Sequence, residues 1–223
     1  VMLGFVIVVM AAEPLLVAGT HPASMALLVI YVLGTRLISK AQEHPMWKPS
    51  STSETVEDVP DEDNQKNINL SWLIIRFVLL AVAVGFAGYF IAQTAIVISS
   101  KTGISASFMG ALFTSVATSL PELVVSVSAV RQGALTLAVS NIIGGNTFDV
   151  LFVSFSDVAY QEGSLYHAAN ASQLFIISLT ILLTSVLLLG LLHRQKYGFA
   201  KVGWESILSI LIFIGGYVIL YLM

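Results

Sequence analysis

Apolar residues run along this chain in stretches of membrane-spanning length, interrupted by short polar turns and one longer polar segment. A window of about 19 residues, the size suited to a transmembrane helix, marks seven such stretches, at roughly 2–19, 22–39, 71–98, 104–130, 134–157, 171–192 and 203–222. Each approaches or exceeds the roughly 20 residues that a helix needs to cross the hydrocarbon layer; the second is short, and the third and fourth are long enough to tilt. The strict apolar–polar alternation of a membrane β-barrel strand is absent. The pattern predicts an all-α, polytopic membrane helical bundle of about seven transmembrane helices.

Composition agrees: 57% of residues are hydrophobic and 10% charged, with a mean hydropathy of +0.89, beyond the range of a soluble domain. No cysteine is present, which excludes disulfides and thiolate metal sites. Val1 already lies inside an apolar run without a charged leader or cleavage signal, so the expectation is a chain that begins partway through a longer protein. The organisation read from this pattern is two helices over 1–40, an acidic linker over 41–70 and a five-helix block over 71–223. The linker, AQEHPMWKPSSTSETVEDVPDEDNQKNIN, carries Glu43, Glu54, Glu57, Asp58, Asp61, Glu62 and Asp63 against Lys48 and Lys66, and has no apolar period with which to bury itself. It lacks the glycine and final glutamate of a calcium-binding helix–loop–helix.

The basic residues predict orientation. If residues 41–70 are cytoplasmic, then Arg36, Lys40, Lys48, Lys66, Arg76, Arg131, Arg194, Lys196 and Lys201 share that side and only Lys101 lies opposite. The C-terminus then faces away from the cytoplasm. Of the 13 acids, those of the linker need no explanation. Glu162 and Glu205 sit in or beside loops, and Asp157 lies at the outer end of its span, where water is close. Glu13, Glu122 and Asp149 remain at membrane depth. A charge at the centre of a spanning helix costs about 3 kcal/mol, so an intramembrane carboxylate points to function. Glu13, followed by Pro14, has no polar neighbours and can equally be a protonated packing residue or a gate element. The four histidines, His21, His44, His167 and His193, fall near span ends without metal-ligand spacing and read as interfacial.

At about 100° per residue, Ser115, Thr118, Glu122, Ser126 and Ala129 fall in one stripe of a helix, with Ser119 at its edge. Pro121 has no N–H, so the carbonyl of Ala117 loses its helical partner, and the ring tends to kink the helix. A freed carbonyl, hydroxyls and a carboxylate within one turn are hard oxygen ligands of the type that Ca²⁺ and Na⁺ prefer. In the next span, SNIIGGNTFDVL, Ala138, Ile142, Gly145 and Asp149 share a face with Asn146 at its edge, and Gly144 and Gly145 permit close approach or local unwinding. The turn after Arg131 makes these spans antiparallel neighbours. Glu122 lies roughly 16 Å and Asp149 roughly 24 Å from it along the helix axes, a difference that tilt or unwinding must close. Each feature also has a plain structural reading: serines, threonines and glycine pairs commonly serve packing, and Asn141 and Asn146 can simply tie helices together.

The stretch GALFTSVATSLPELVVSVSAVRQGALTLAVSNIIGGNTFDVL, Gly110 to Leu151, resembles the second α-repeat of the cation/Ca²⁺ exchanger superfamily, of the sodium/calcium exchanger type. The family's hallmark is a TSLPE helix followed, after a short turn, by a helix of the GNxxGSNxFD kind. The resemblance implies the C-terminal half of an inverted-repeat exchanger: residues 71–223 would be the second five-helix repeat, the first two spans the end of the first repeat, and the linker the central cytoplasmic loop. It also implies that Glu122 is a principal Ca²⁺ and Na⁺ ligand, with Thr118 and Ser119 adding carbonyl or hydroxyl oxygen. Ser115 would offer a backbone carbonyl, and Asn146 and Asp149 would be polar members of the same site. Gly145 stands where many relatives have serine, which removes a hydroxyl and leaves the coupled ion open.

The function so implied is exchange of Ca²⁺ for Na⁺ by alternating access. Ca²⁺ and Na⁺ are cargo, so no cofactor is implied; the lipid bilayer is a partner and nucleic acid is not. A proton/Ca²⁺ antiporter is the alternative, and a nontransporting assembly partner a further one. An intramembrane aspartyl protease would need a second deep aspartate and a GxGD motif, both absent. A second copy of the two signature helices is also absent from the 223 residues, so the missing repeat is expected in the same longer chain or in a partner subunit. Two sequons, at Asn69 and Asn170, fall on the predicted cytoplasmic side and against a span, respectively, where glycosylation is not expected.

Overall fold

A computed structural model of the chain describes residues 1–17, 19–43, 69–193 and 203–223. The elements are α1 (Met2–Ala11), α2 (Pro22–Glu43), α3 (Leu70–Thr102), α4 (Ala106–Phe108), a π-helical turn (Met109–Thr114), α5 (Ser115–Arg131), α6 (Leu135–Asp149), α7 (Leu151–Ala159), α8 (Leu165–Ala168), α9 (Ala171–His193) and α10 (Trp204–Leu222). Among the described residues there is no strand beyond an isolated bridge between Val17 and Thr20. Among the described residues six helical segments are long and apolar enough to cross a membrane: Pro22–Lys40, Leu70–Thr102, Ala106–Arg131, Leu137–Ala159, Ala171–His193 and Trp204–Leu222. The all-α, multi-pass membrane architecture expected from the hydropathy pattern is therefore what the chain forms. Most of the acidic segment, residues 44–68, and the basic stretch 194–202 lie outside the described residues.

The first predicted span is corrected. Its helix stops at Ala11 and the backbone of Ala12 is already extended, with φ −84° and ψ 171°. Pro14 explains this, because its ring disfavours helical backbone in the residue before it and it has no N–H to continue the ladder. Glu13 accordingly lies not inside a helix but in the exposed connection beyond it.

The chain divides into two compact units, one formed by Val1–Lys48 with Gly144–Met223 and the other by Pro49–Ile143. In the first, Met2, Val6 and Val9 of α1 pack with Ala23 and Leu27 of α2, Leu151 of α7 and Tyr166 of α8. Helices α9 and α10 lie together where glycines allow it: a side chain at Gly190 would meet Glu205, and one at Gly216 would meet Leu179. Asp157, expected near water at a span end, is instead fully buried, at 0% exposure. It accepts hydrogen bonds from the His21 N–H at 2.9 Å, the Ser24 hydroxyl at 2.7 Å and the Leu165 N–H at 2.8 Å. These donors gather at the start of α2 and the start of α8, which explains how a carboxylate is accommodated there without water. His21, expected to be interfacial, is buried in the same cluster.

In the second unit α3 is 33 residues long, or about 50 Å at 1.5 Å per residue, and none of its residues is buried within the chain. Asn69 caps its start by accepting from the Ser71 N–H, and Gly103 ends it in the left-handed conformation, φ +75°, with its N–H on the Ser99 carbonyl. Helix α5 ends in a Schellman turn: the Ala134 N–H reaches the Ala129 carbonyl at 2.9 Å and the Gly133 N–H reaches that of Val130 at 3.0 Å, with Gly133 at φ +78°. This turn sends α6 back alongside α5, as the short polar connection predicts.

Candidate functional site

Helix α5 carries the acidic half of the candidate site. It begins where the π-helical turn ends, and the extra residue in that turn is absorbed by a side chain: the Ser115 hydroxyl donates to the Gly110 carbonyl at 3.0 Å. The Thr118 hydroxyl donates to the carbonyls of Thr114 at 3.0 Å and Ser115 at 3.2 Å. Both hydroxyl hydrogens therefore point into the helix, and the oxygen lone pairs remain available to a cation. Helix α5 continues unbroken through Pro121, so the irregularity of this segment lies in the π turn before Ser115 rather than at the proline. Ser115, Thr118, Ser119 and Glu122 are exposed on this chain, whereas Ser126 and Ala129, further along the same stripe, are buried.

What buries the lower stripe is the returning helix. Asn141 of α6 donates from its side-chain amide to the Ser126 hydroxyl at 3.0 Å and to the backbone carbonyl of Glu122 at 3.2 Å. Asn141 is thus one of the two asparagines expected to tie helices, and its anchor is the backbone of Glu122 itself. The Glu122 carboxylate has no hydrogen-bond or ion-pair partner among the described residues. Ser115, Thr118, Ser119, Glu122 and Asn141 belong to the second compact unit; Gly145, Asn146 and Asp149, later in α6, belong to the first. Asn146 and Asp149 are exposed on this chain and Gly145 is partly so, with open space around a Cβ placed on it. Helix α6 passes through Gly144 and Gly145 without interruption and gives way to α7 at Val150, so the glycines do not unwind it.

Among the described residues no three His, Asp or Glu side chains are grouped so that they could hold a metal ion together. A cation bound by this chain would draw on hydroxyl, amide and carbonyl oxygens beside single carboxylates, the donor set of hard cations such as Ca²⁺ and Na⁺. Asp157, the fully buried carboxylate among the described residues, was not singled out from the sequence. Its signal was the cluster of polar residues at the ends of two different apolar runs: His21 and Ser24 at one, and Ser154, Asp157, Ser164, Tyr166 and His167 around the other.

A family model described as sodium/calcium exchanger protein matches residues 72–222. The chain belongs to the sodium/calcium exchanger family. Members of this family are transporters, not enzymes. Similar curated proteins include the sodium/calcium exchanger MaX1 of Methanosarcina acetivorans, 28% identical over 149 residues that cover 66% of this chain and 40% of that protein. The human sodium/potassium/calcium exchanger 5 is 26% identical over 153 residues, covering 67% of this chain and 31% of its own. The putative antiporter CaxA of Alkalimonas amylolytica is 32% identical over 126 residues, covering 55% and 38%. The chain thus spans less than half the length of these exchanger-family relatives. No solved structure matches it.

Proposed function

We propose that this exchanger-family chain carries one half of a membrane antiport site that exchanges Ca²⁺ for Na⁺ by alternating access. The observation that carries the reading is Glu122: a carboxylate on a segment of membrane-spanning length, exposed on its helix and unneutralised by any described side chain. Such a charge is costly in a bilayer unless a cation visits it. In this reading Glu122 is the principal ligand, Thr118 and Ser119 add hydroxyl or carbonyl oxygen, and Ser115 adds a carbonyl. Asp149 and Asn146 supply polar groups from α6 beside Gly145. Ca²⁺ from one side and Na⁺ from the other compete for the same oxygens. The remaining helices of the transport unit come from the same longer chain or from a partner subunit.

A second reading, proton/Ca²⁺ antiport, is favoured by one feature: Gly145 supplies no hydroxyl where the resemblance to the exchanger family implies a serine, so that Glu122 or Asp149 would carry protons instead. Both readings are tested in vesicles that contain the whole exchanger. Ca²⁺ uptake should follow an imposed Na⁺ gradient at fixed pH, and Glu122→Gln should reduce it by at least about tenfold, the equivalent of about 1.4 kcal/mol of lost cation binding. Uptake that instead follows a pH gradient without Na⁺ selects the proton reading. Unchanged uptake in Glu122→Gln rejects both.

A further inference from the structure

The buried cluster around Asp157 includes none of the proposed cation-ligand residues. It joins the end of α1, the start of α2, the end of α7 and the start of α8, all within one compact unit. His21 is the N-cap of α2. Its backbone N–H is held by Asp157, Pro22 follows at the position where a missing N–H costs nothing, and its ring Nδ1 accepts the Ala23 N–H at 3.1 Å. Because Nδ1 is an acceptor, the ring proton sits on Nε2, which is buried without a partner among the described residues. The Tyr166 hydroxyl shares a hydrogen bond of 3.0 Å with Ser24, which in turn donates to Asp157.

The two histidines of the cluster differ in their partners. His167 places Nε2 at 2.9 Å from the Ala12 carbonyl and Nδ1 at 3.0 Å from the Ser164 hydroxyl, so both of its ring nitrogens have oxygen partners. His21 cannot be charged in place. A second proton on its ring would sit on Nδ1, facing the Ala23 N–H donor, and the cap would be lost. The titratable groups that face the His21 ring are Tyr166, with centroids 5.4 Å apart, His167, at 5.5 Å, and Asp157 beneath its backbone. Beyond the end of α1 the Ala12 carbonyl is held by His167, and Glu13 after it is exposed.

We propose that His21, Asp157 and His167 form a proton-sensitive latch that holds the start of α2 to the α7–α8 turn at neutral pH and releases it in acid. Burial, followed by the neighbouring His167, holds the His21 pKa below its ordinary 6.5, against a smaller opposing pull from Asp157. The latched form therefore binds fewer protons than the released form. Its stability is complete above about pH 6.5, where a free histidine is neutral, and falls as the pH drops through that value toward the lower latched pKa.

The chain has no cysteine, so a pair of nitroxides can be placed without background. Labels at Leu16→Cys and Gln161→Cys, both exposed, should give one narrow distance in nanodiscs at pH 8. Below about pH 6.5 a second, broader population should grow by up to about tenfold per pH unit. In His21→Asn the side-chain oxygen can still cap the Ala23 N–H but does not titrate, so the narrow distance should persist to pH 5. A distribution that stays unchanged to pH 5 in the original chain, or that broadens equally in His21→Asn, overturns the proposal. Should that variant lack the narrow distance at pH 8, the ring nitrogens of the unsubstituted His21 decide. Titration below 6.5 in step with the distance change supports the latch, and titration at or above 6.5 rejects it.

Discussion

Asn141 shows how a single side chain can organise two helices in a bilayer. Its amide donates to the Ser126 hydroxyl and to the carbonyl of Glu122, so it fixes the backbone of the acidic residue without touching its carboxylate. Interhelical hydrogen bonds of this type contribute about 0.6 kcal/mol each in membrane proteins, because the separated helices also find partners. Asn141→Leu should therefore lower unfolding stability in mixed micelles by about 1 kcal/mol, whereas Ser128→Ala, which removes an exposed contact to Gln132, should lie within about 0.5 kcal/mol of the parent. The oxygen-bearing stripe on α5 was legible in the sequence because helical periodicity alone places Ser115, Thr118, Glu122 and Ser126 on one face. That its lower end is buried and its upper end exposed was not legible, since periodicity does not say where a neighbouring helix stops covering a face. For the same reason Asp157 was misplaced: distance from the middle of a span suggests water, but backbone donors from α2 and α8 enclose it.

At the scale of elements, hydropathy identified the long helices because about 20 apolar residues have few other uses. It overran where local chemistry ends a helix within an apolar run. Pro14 stops α1 at Ala11, and Val150 separates α6 from α7, although hydrophobicity continues through both points. The π-helical turn at Met109–Thr114 was equally hidden, since apolar and small residues are compatible with either winding. Helix pairing depends on single glycines. A methyl group at Gly190 would lie 2.7 Å from the Glu205 Cβ, an atom close to the backbone that cannot move aside, whereas nothing lies within 4 Å of one at Gly215. Gly190→Ala should consequently destabilise the α9–α10 pair by about 1–3 kcal/mol through overpacking. Gly215→Ala should be neutral, or should gain up to about 1 kcal/mol from helix propensity. Thermal unfolding of the two variants in the same micelles checks the contrast. Equal effects would mean that α9 and α10 do not approach at Gly190.

For the whole molecule, we propose an arrangement across the bilayer from charge rather than from packing. Lysine and arginine next to spanning helices are retained on the cytoplasmic side, and in this chain one assignment of sides leaves Lys101 as the exception among 10 basic residues. Lys101 lies in the last turn of α3, before the Gly103 cap, so its position follows from the helix boundary. Arg131 ends α5, one candidate spanning segment later, and is expected on the other side. With no native cysteine, Lys101→Cys and Arg131→Cys can each be labelled alone with a membrane-impermeant maleimide. In intact cells Lys101→Cys should react and Arg131→Cys should not, and in inverted vesicles the pattern should reverse. Labelling of both from one side would mean that the segment from Ala106 to Arg131 does not cross the membrane. The Glu122 carboxylate, nine residues before Arg131, would then stand in the interface rather than at depth, and the cost that makes a visiting cation necessary would disappear with it.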